Sequence, residues 1–361
     1  MKYNDLRRKT RCVKIKDVTI GGSNDIAIQS MTNTDTLDKI ATLAQIKALE
    51  EVGCDIVRIT VPTLEAAETI AYLKQSGVKI PIVADIHFDY RIALECVKMG
   101  VDKIRINPGN IGEDWKIREV TSACSDAGIP IRIGVNGGSL EKHILEKYKA
   151  PTAEALAESA FYHIELLEKF NFTNTVVSVK SSDAINMINA NKIIAEKCDY
   201  PLHLGVTEAG DSYSGLIKSS VGIGSLLCQG VGDTIRVSLT ANPALEIKAG
   251  KELLSLLGFY SKGSIQVVSC PTCGRTKIDL IGLSARLKQE IATIDTYGKD
   301  IKIALMGCIV NGPGEAKECD FGIAGGNGEA VLFRKGEIIK KIKENEIIPS
   351  ILHEIEEFRN N

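Results

Sequence analysis

Pro130-Ile-Arg-Ile-Gly-Val-Asn136 alternates strictly, so that in an extended chain Ile131, Ile133 and Val135 share one face while Arg132, Gly134 and Asn136 share the other. The same parity returns three times further along. Val177 and Val179 oppose Ser178 and Lys180; Leu202, Leu204 and Val206 oppose His203, Gly205 and Thr207; Ile235, Val237 and Leu239 oppose Arg236 and Ser238. An open parallel sheet is covered by helices on both faces and would be apolar on both parities. A barrel with an outer helical jacket and a polar interior accounts for one-sided alternation. Gly134 and Gly205 would leave that interior roomy at mid-height.

Working outward, β-branched runs at 27–31, 55–61, 81–88, 103–107, 130–136, 175–180, 201–208 and 233–239 make eight candidate strands. Helical spacing fills the intervals at 37–52, 64–76, 91–99, 115–127, 152–170, 184–198 and 215–229. The count and alternation predict an α/β fold, a (β/α)8 TIM barrel over 1–258, closed by a helix over 243–257. A short polar linker, Gly258-Phe-Tyr-Ser-Lys-Gly-Ser264, leads to a small α+β domain over 264–361. Its expected order is strand 265–269, helix 279–294, strands 302–306, 321–324 and 330–334, then one charged helix over 338–358.

The chain has 361 residues, 44 Lys plus Arg against 46 Asp plus Glu, and 10 Cys. That balance lacks the basic footprint of a general nucleic-acid binder, and 44% hydrophobic residues exclude a disordered chain. The first residues, Met-Lys-Tyr-Asn-Asp-Leu-Arg-Arg-Lys, are charged where a secretory signal needs an apolar core, and no stretch of 18 apolar residues occurs. A cytoplasmic enzyme without a membrane role is expected. Its cysteines should stay reduced, so closely spaced ones read as a metal or redox site.

Such a set exists. Ser269-Cys270-Pro-Thr-Cys273-Gly is followed by Gly307-Cys308-Ile-Val-Asn-Gly-Pro-Gly-Glu315. A Cys-x-x-Cys turn presents two thiolates to one centre, and Cys308 in a Gly-rich loop supplies a third. The fourth ligand is either Cys319 or Glu315, and the residues alone leave open an iron–sulfur cluster, a structural zinc and a dithiol. Cys12, Cys54, Cys96, Cys124, Cys198 and Cys228 are scattered among apolar residues and read as buried side chains.

A second set lies on the inner parity toward the C-terminal ends of the barrel strands: Arg58, Arg105, Arg132, Lys180 and Arg236, with Asp85, His87, Asn107, Asn136 and Glu208 among them. Barrels of this kind bind substrates at that face, and guanidinium forks match phosphate oxygens. Five cations against two carboxylates point to a small phosphorylated anion; the alternative is an internal salt-bridge lattice centred on Asp85 and Glu208. His87 and Glu208 are the groups best placed for proton transfer, though each can instead orient an arginine. Asn107-Pro-Gly-Asn110 is either an N–H cradle for phosphate or an ordinary turn. His143, His163 and His353 carry no site signal.

The motifs Gln29-Ser-Met-Thr-Asn-Thr-Asp-Thr, Arg58-Ile-Thr-Val-Pro, Ala84-Asp-Ile-His-Phe, Arg105-Ile-Asn-Pro-Gly-Asn, Arg132-Ile-Gly-Val-Asn, His203-Leu-Gly-Val-Thr-Glu-Ala-Gly, Ser269-Cys-Pro-Thr-Cys-Gly-Arg and Met306-Gly-Cys-Ile-Val-Asn-Gly-Pro-Gly-Glu-Ala span nearly the whole chain. Together they resemble the 4-hydroxy-3-methylbut-2-en-1-yl diphosphate synthase family in its bacterial two-domain form. The resemblance implies a 4Fe-4S cluster held by Cys270, Cys273, Cys308 and the carboxylate of Glu315. It also implies reductive dehydroxylation and ring opening of 2-C-methyl-D-erythritol 2,4-cyclodiphosphate to 4-hydroxy-3-methylbut-2-enyl diphosphate, a step of the non-mevalonate isoprenoid pathway. In it Arg58, Arg105, Arg132 and Lys180 hold the diphosphate and Glu208 is a candidate acid/base. No nucleotide-binding Gly motif occurs, so electrons are expected from flavodoxin or ferredoxin.

The rival readings are a pterin-type barrel transferase with a zinc-stabilised appendage and a non-catalytic metal sensor that binds a phosphorylated metabolite. A homodimer in which each cluster domain caps the partner barrel is also expected. The helix over 243–257 runs about 22 Å back toward the barrel's bottom, and a linker of about six residues reaches at most about 20 Å. The resemblance implies the same arrangement.

Overall fold

Alternation of β-branched and polar residues produces short parallel strands, and most of the helices that follow are started by a side chain suited to the task. Asp38, Thr63, Asp89, Thr152, Asp183, Asp211 and Asn242 each accept a hydrogen bond from a backbone N–H in the first turn of the helix they precede. Each cap contributes about 1 kcal/mol and fixes where strand-to-helix loops end. The computed structural model describes residues 6–309 and 316–360. The chain forms two compact units, Met1–Phe259 and Tyr260–Asn361.

In the first unit, β1 (Val13–Ile15) and β2 (Val18–Ile20) form an antiparallel hairpin. The remaining strands are β3 (Ala27–Met31), β4 (Ile56–Thr60), β5 (Ile82–Asp85), β6 (Lys103–Ile106), β7 (Ile131–Asn136), β8 (Thr175–Lys180), β9 (His203–Leu204) and β10 (Thr234–Ile235). They are parallel, in the order β8-β7-β6-β5-β4-β3-β10-β9, and a bridge between Val177 and Leu202 joins the two ends. The TIM-like barrel expected from the strand parity is therefore present, closed at its last seam by that bridge.

β9 and β10 are far shorter than the sequence runs that contain them. Leu202, Leu204, Val206, Ile235 and Val237 are nevertheless all buried, so the alternation there reports burial rather than ladder length. The hairpin β1–β2 lies outside the eight expected strands. Val13, Ile15 and Ile20 pack against Ala27, Ile56, Val83 and Val176, lumen residues at the N-terminal ends of their strands, and plug the barrel's bottom. Each of these three side chains contributes roughly 1.5–3 kcal/mol by its burial.

The second unit is a five-stranded sheet of β11 (Ser264–Ser269), β12 (Asp300–Met306), β13 (Phe321–Gly325), β14 (Glu329–Arg334) and β15 (Glu337–Lys343), in sequence order across the sheet. β11, β12 and β13 are parallel; β14 and β15 turn back antiparallel. Helices Leu280–Ile291 and Ile347–Asn360 cover one face through Leu283, Leu287, Ile347, Ile351 and Ile355.

The single helix expected over 338–358 is corrected here. Its first part is strand β15, because Lys335 and Gly336 both take positive φ and make a two-residue hairpin turn that pairs Arg334 with Glu337. Ile338, Ile339 and Ile342 then suit a strand better than the lysines between them suit a helix. Among the described residues no helix is long and apolar enough to cross a membrane.

Candidate active site and thiol loops

At the upper end of the barrel lumen, Arg58, Asp85, His87, Arg105, Arg132, Asn136, Ser178, Lys180, Thr207, Arg236 and Ser238 enclose a polar cavity of about 130 Å3. These side chains meet because the lumen parity of seven neighbouring strand segments delivers them there. The space left by the two glycines is taken. A Cβ on Gly134 would lie 2.2 Å from Arg105 Nε, and one on Gly205 would lie 3.1 Å from Lys180 Nζ. The expected roominess is corrected accordingly: the missing side chains make room for cations rather than for open volume.

The ion pairs are unequally shared. Asp85 pairs with Arg105 Nη1 at 2.9 Å and lies 3.7 Å from Arg58 Nε. Glu246, on the helix Pro243–Leu256, sits 3.4 Å from Arg236 and also accepts from Ser30 Oγ at 2.8 Å and the Leu239 N–H at 3.1 Å. Met31 Sδ lies 2.8 Å from Arg58 Nη2 and 3.5 Å from Arg236 Nη1, a soft wedge between two guanidiniums. Asn136, with its amide turned to satisfy both neighbours, donates to Val135 O and accepts from Arg105 Nη2 at 3.2 Å. Arg132 is 1% exposed and donates to Gln29 Oε1 at 3.2 Å across the lumen. Neither Arg132 nor Lys180 has a carboxylate within ion-pair distance among the described residues.

Burial and mutual repulsion push the basic groups of Arg132 and Lys180 well below their ordinary values, and burial brings Arg58 down to about 10. Burial works against ionised Asp85, but Arg58 and Arg105 outweigh it and hold its carboxyl at about 2. Stripping water from a cation without supplying an anion costs several kcal/mol. An entering anion recovers part of that cost, so the cavity is built for one. Beneath it, Lys103 and His203 are fully buried, and burial depresses both well below their ordinary values.

Two expected site residues lie elsewhere. Glu208 is exposed, is absent from the cavity wall and holds a left-handed φ of 52°. Asn107 is buried and structural: its Oδ1 accepts from the Gly109 N–H at 3.2 Å and its Nδ2 donates to Ser139 Oγ at 3.2 Å. His87 is exposed and sits on the cavity wall. Sequence reasoning missed Glu246, Met31 and Gln29. For Glu246 the signal was a lone acid on the buried stripe of a helix, which needs a cationic partner.

In the second unit, Cys270 follows β11 and Cys308 lies two residues beyond β12, at the same end of two paired parallel strands. The loops are knitted together: the Gly307 N–H donates to Cys270 Sγ at 3.2 Å, and the Lys277 N–H donates to Gly307 O at 3.0 Å. Cys273 is exposed, and the Cys273 N–H donates to Thr276 Oγ1 at 3.1 Å. Cys319 is 3% exposed among Ala304, Met306, Ala324 and Phe333, and burial raises its thiol. Glu315 lies outside the described residues. Among the described residues no three His, Cys, Asp or Glu side chains stand close enough to hold a metal ion. The donor chemistry still fits a thiolate-ligated group: three free, solvent-reachable soft ligands on adjoining loops, one sulfur already receiving a backbone N–H.

The GcpE TIM-barrel domain model matches residues 10–251, and the GcpE protein C-terminal domain model matches residues 266–357. The chain belongs to the GcpE family. A relative from Fusobacterium nucleatum named 4-hydroxy-3-methylbut-2-en-1-yl diphosphate synthase (flavodoxin) is 54% identical over 356 residues, covering 99% of each chain. One of the same name from Clostridium acetobutylicum is 53% identical over 350 residues, covering 97% of this chain and 99% of its own. The resemblance read from the motifs is borne out, and GcpE membership displaces the pterin-transferase and sensor readings. Dihydropteroate synthase from Stenotrophomonas maltophilia superposes with a TM-score of 0.50 at 13% identity, over 68% of this chain and 99% of its own, a likeness of fold alone.

Proposed function

We infer that this chain carries out the reductive ring opening of 2-C-methyl-D-erythritol 2,4-cyclodiphosphate to 4-hydroxy-3-methylbut-2-enyl diphosphate, the activity for which its GcpE relatives are named. The observation that carries the reading is the pair of buried cations, Arg132 and Lys180, that no carboxylate neutralises. The cyclic diphosphate carries one ionisable oxygen on each phosphorus. Ring opening breaks a carbon–oxygen bond to the diphosphate, expels a hydroxyl as water, consumes two electrons and one proton, and leaves a linear diphosphate with one more negative charge. A cavity with surplus positive charge favours that product, and more so the transition state leading to it, because the charge develops where the guanidiniums already stand.

Arg58, Arg105, Arg132, Lys180 and Arg236 are the diphosphate ligands in this reading, with Asn136 at the rim; Asn107, expected to bind substrate, instead holds the loop behind it. Asp85 aims Arg105, and Glu246 aims Arg236. His87 on the cavity wall is the proton donor; Glu208 would serve only if its exposed side chain turned inward. Cys270, Cys273, Cys308 and Glu315 would hold a 4Fe-4S cluster, which when bound passes electrons one at a time. Flavodoxin, printed in the relatives' names, is the donor, and a ferredoxin is the alternative. The working form is a cytoplasmic homodimer in which one chain's cluster domain serves the partner's barrel.

The test is anaerobic purification with iron and sulfide analysis, followed by turnover of the cyclodiphosphate with reduced flavodoxin. Four irons per chain and product formation are expected; zinc in place of iron, or an iron-replete protein without turnover, would sink the reading. Mixing inactive Cys270→Ser and Lys180→Leu chains tests the dimer: trans sharing restores activity in verified heterodimers, and cis action does not.

A further inference from the structure

We propose that Glu141 and His163 are positioning residues that set the rim of the anion cavity. The inference rests on the reading of that cavity as the diphosphate site. His163 lies on the helix Ala153–Glu168 and is fully buried; its Nε2 stands 2.6 Å from Glu141 Oε1. Glu141 occupies the position before the helix Lys142–Tyr148, where an acid ordinarily caps the first turn, yet its side chain makes no capping hydrogen bond. It turns inward to His163 instead. Burial works against its charge, and the imidazole beside it nevertheless holds its carboxyl below the ordinary value.

A buried pair of this kind adds little stability over apolar side chains of equal size, so its weight falls on geometry. That geometry reaches the site through short steps. A Cβ on Gly109 would lie 2.8 Å from Glu141 Oε1 and 3.0 Å from His163 Cε1, so the pair bounds the turn after β6. Within that turn the Gly109 N–H donates to Asn107 Oδ1, and Asn107 Nδ2 donates to Ser139 Oγ at 3.2 Å. Ser139 Oγ donates in turn to Asn136 O at 3.3 Å. Asn136 ends on Arg105 Nη2 at 3.2 Å. The pair thus clamps the loops after β6 and β7 against the helix Ala153–Glu168, and those loops hold the amide that orients one guanidinium of the cavity.

The sign of the expected effect separates positioning from plain electrostatics. Removing a negative charge near an anion site tightens anion binding, whereas losing the clamp weakens it. Calorimetric titration of the intact protein with the cyclodiphosphate should show Glu141→Gln weakening Kd about fivefold to tenfold, as expected for residues coupled through one network. Gly109→Ala, which keeps both side chains and wedges them apart, should do the same. Combining Glu141→Gln with Asn136→Ala should be no worse than the weaker-binding single variant, whereas combining it with Arg236→Leu should multiply the two losses. Tightened or unchanged binding in both Glu141→Gln and Gly109→Ala, with Asn136→Ala impaired, overturns the proposal alone. Losses that multiply with Asn136→Ala also overturn it. Unchanged binding in Asn136→Ala overturns the reading of the cavity rim and the proposal with it.

Discussion

The two units handle their reactive groups in opposite ways. In the barrel most functional side chains stand on or just past strands, buried or half-buried and fixed by lumen parity, with Arg132 1% exposed and Lys180 8%, and His87 is the exposed exception. In the second unit the three cysteines stand on loops beyond the strand ends, half-buried or exposed. Cysteine usage repeats the contrast only in part: of the six barrel cysteines expected to be buried, Cys54, Cys96 and Cys124 are, and burial pushes their thiols up to about 12 and leaves them inert packing, whereas Cys198 and Cys228 are half-buried and Cys12 is exposed. A charge that must be desolvated before its ligand arrives needs a rigid wall. Thiols that a bound group draws together can wait on loops.

The sharpest break in that contrast comes from the loops. Cys270→Ser, Cys273→Ser and Cys308→Ser should each lose essentially all iron and turnover, and Cys319→Ser should keep both; metal analysis beside the assay decides. If Cys319→Ser bleaches the protein as Cys308→Ser does, a four-cysteine site replaces the set with Glu315.

Next in size, Arg132→Leu and Lys180→Leu should each weaken cyclodiphosphate binding about tenfold to a hundredfold, the worth of a hydrogen bond to a charged group. Their melting temperatures should hold or rise, because each removes a buried, unneutralised cation. A large fall in melting temperature with unchanged affinity would instead favour the salt-bridge lattice.

A smaller effect concerns pH. Lys180 has a folded-state value well below its unfolded 10.5, so between the two the unfolded chain binds more protons and stability rises with pH. The ligand-free protein should therefore gain thermal stability from neutral pH toward 10.5 more steeply than Lys180→Met does. Inorganic pyrophosphate should flatten that difference by giving the cation its partner. Parallel slopes for the two proteins would remove the argument. Smallest of all, Cys124→Ala should cost about 1 kcal/mol of stability and no iron.

The sequence disclosed the cradle more fully than its partners, for a physical reason. Arg132 and Lys180 stand out because a cation on the lumen parity of a β-branched strand must be buried, and a buried cation needs an anion from somewhere. Glu246 hides in a helix among ordinary acids, and only the fold brings it to Arg236. Met31 and Gln29 are uncharged and give no signal before the lumen exists. Glu141 and His163 are separated along the chain, and only the packing of a helix against two loops joins them. β15 reads as helix in the sequence because Ile338, Ile339 and Ile342 fall at helical i, i+3 and i, i+4 spacings over a short run, and the deciding Lys335-Gly336 turn is a backbone property. The eight barrel strands are readable because each carries its burial pattern locally.

The hairpin Val13–Ile20 leaves the lumen with a single door. Val13, Ile15 and Ile20 stopper the end opposite the cavity, and Ile56, Val83 and Val176 line the walls they fill. Nothing the size of a diphosphate passes through, so product must leave by the opening that admitted substrate. The two molecules exclude one another at every visit: product should inhibit competitively against substrate, and the rate at which the doorway clears sets a ceiling on turnover however fast the bond is broken.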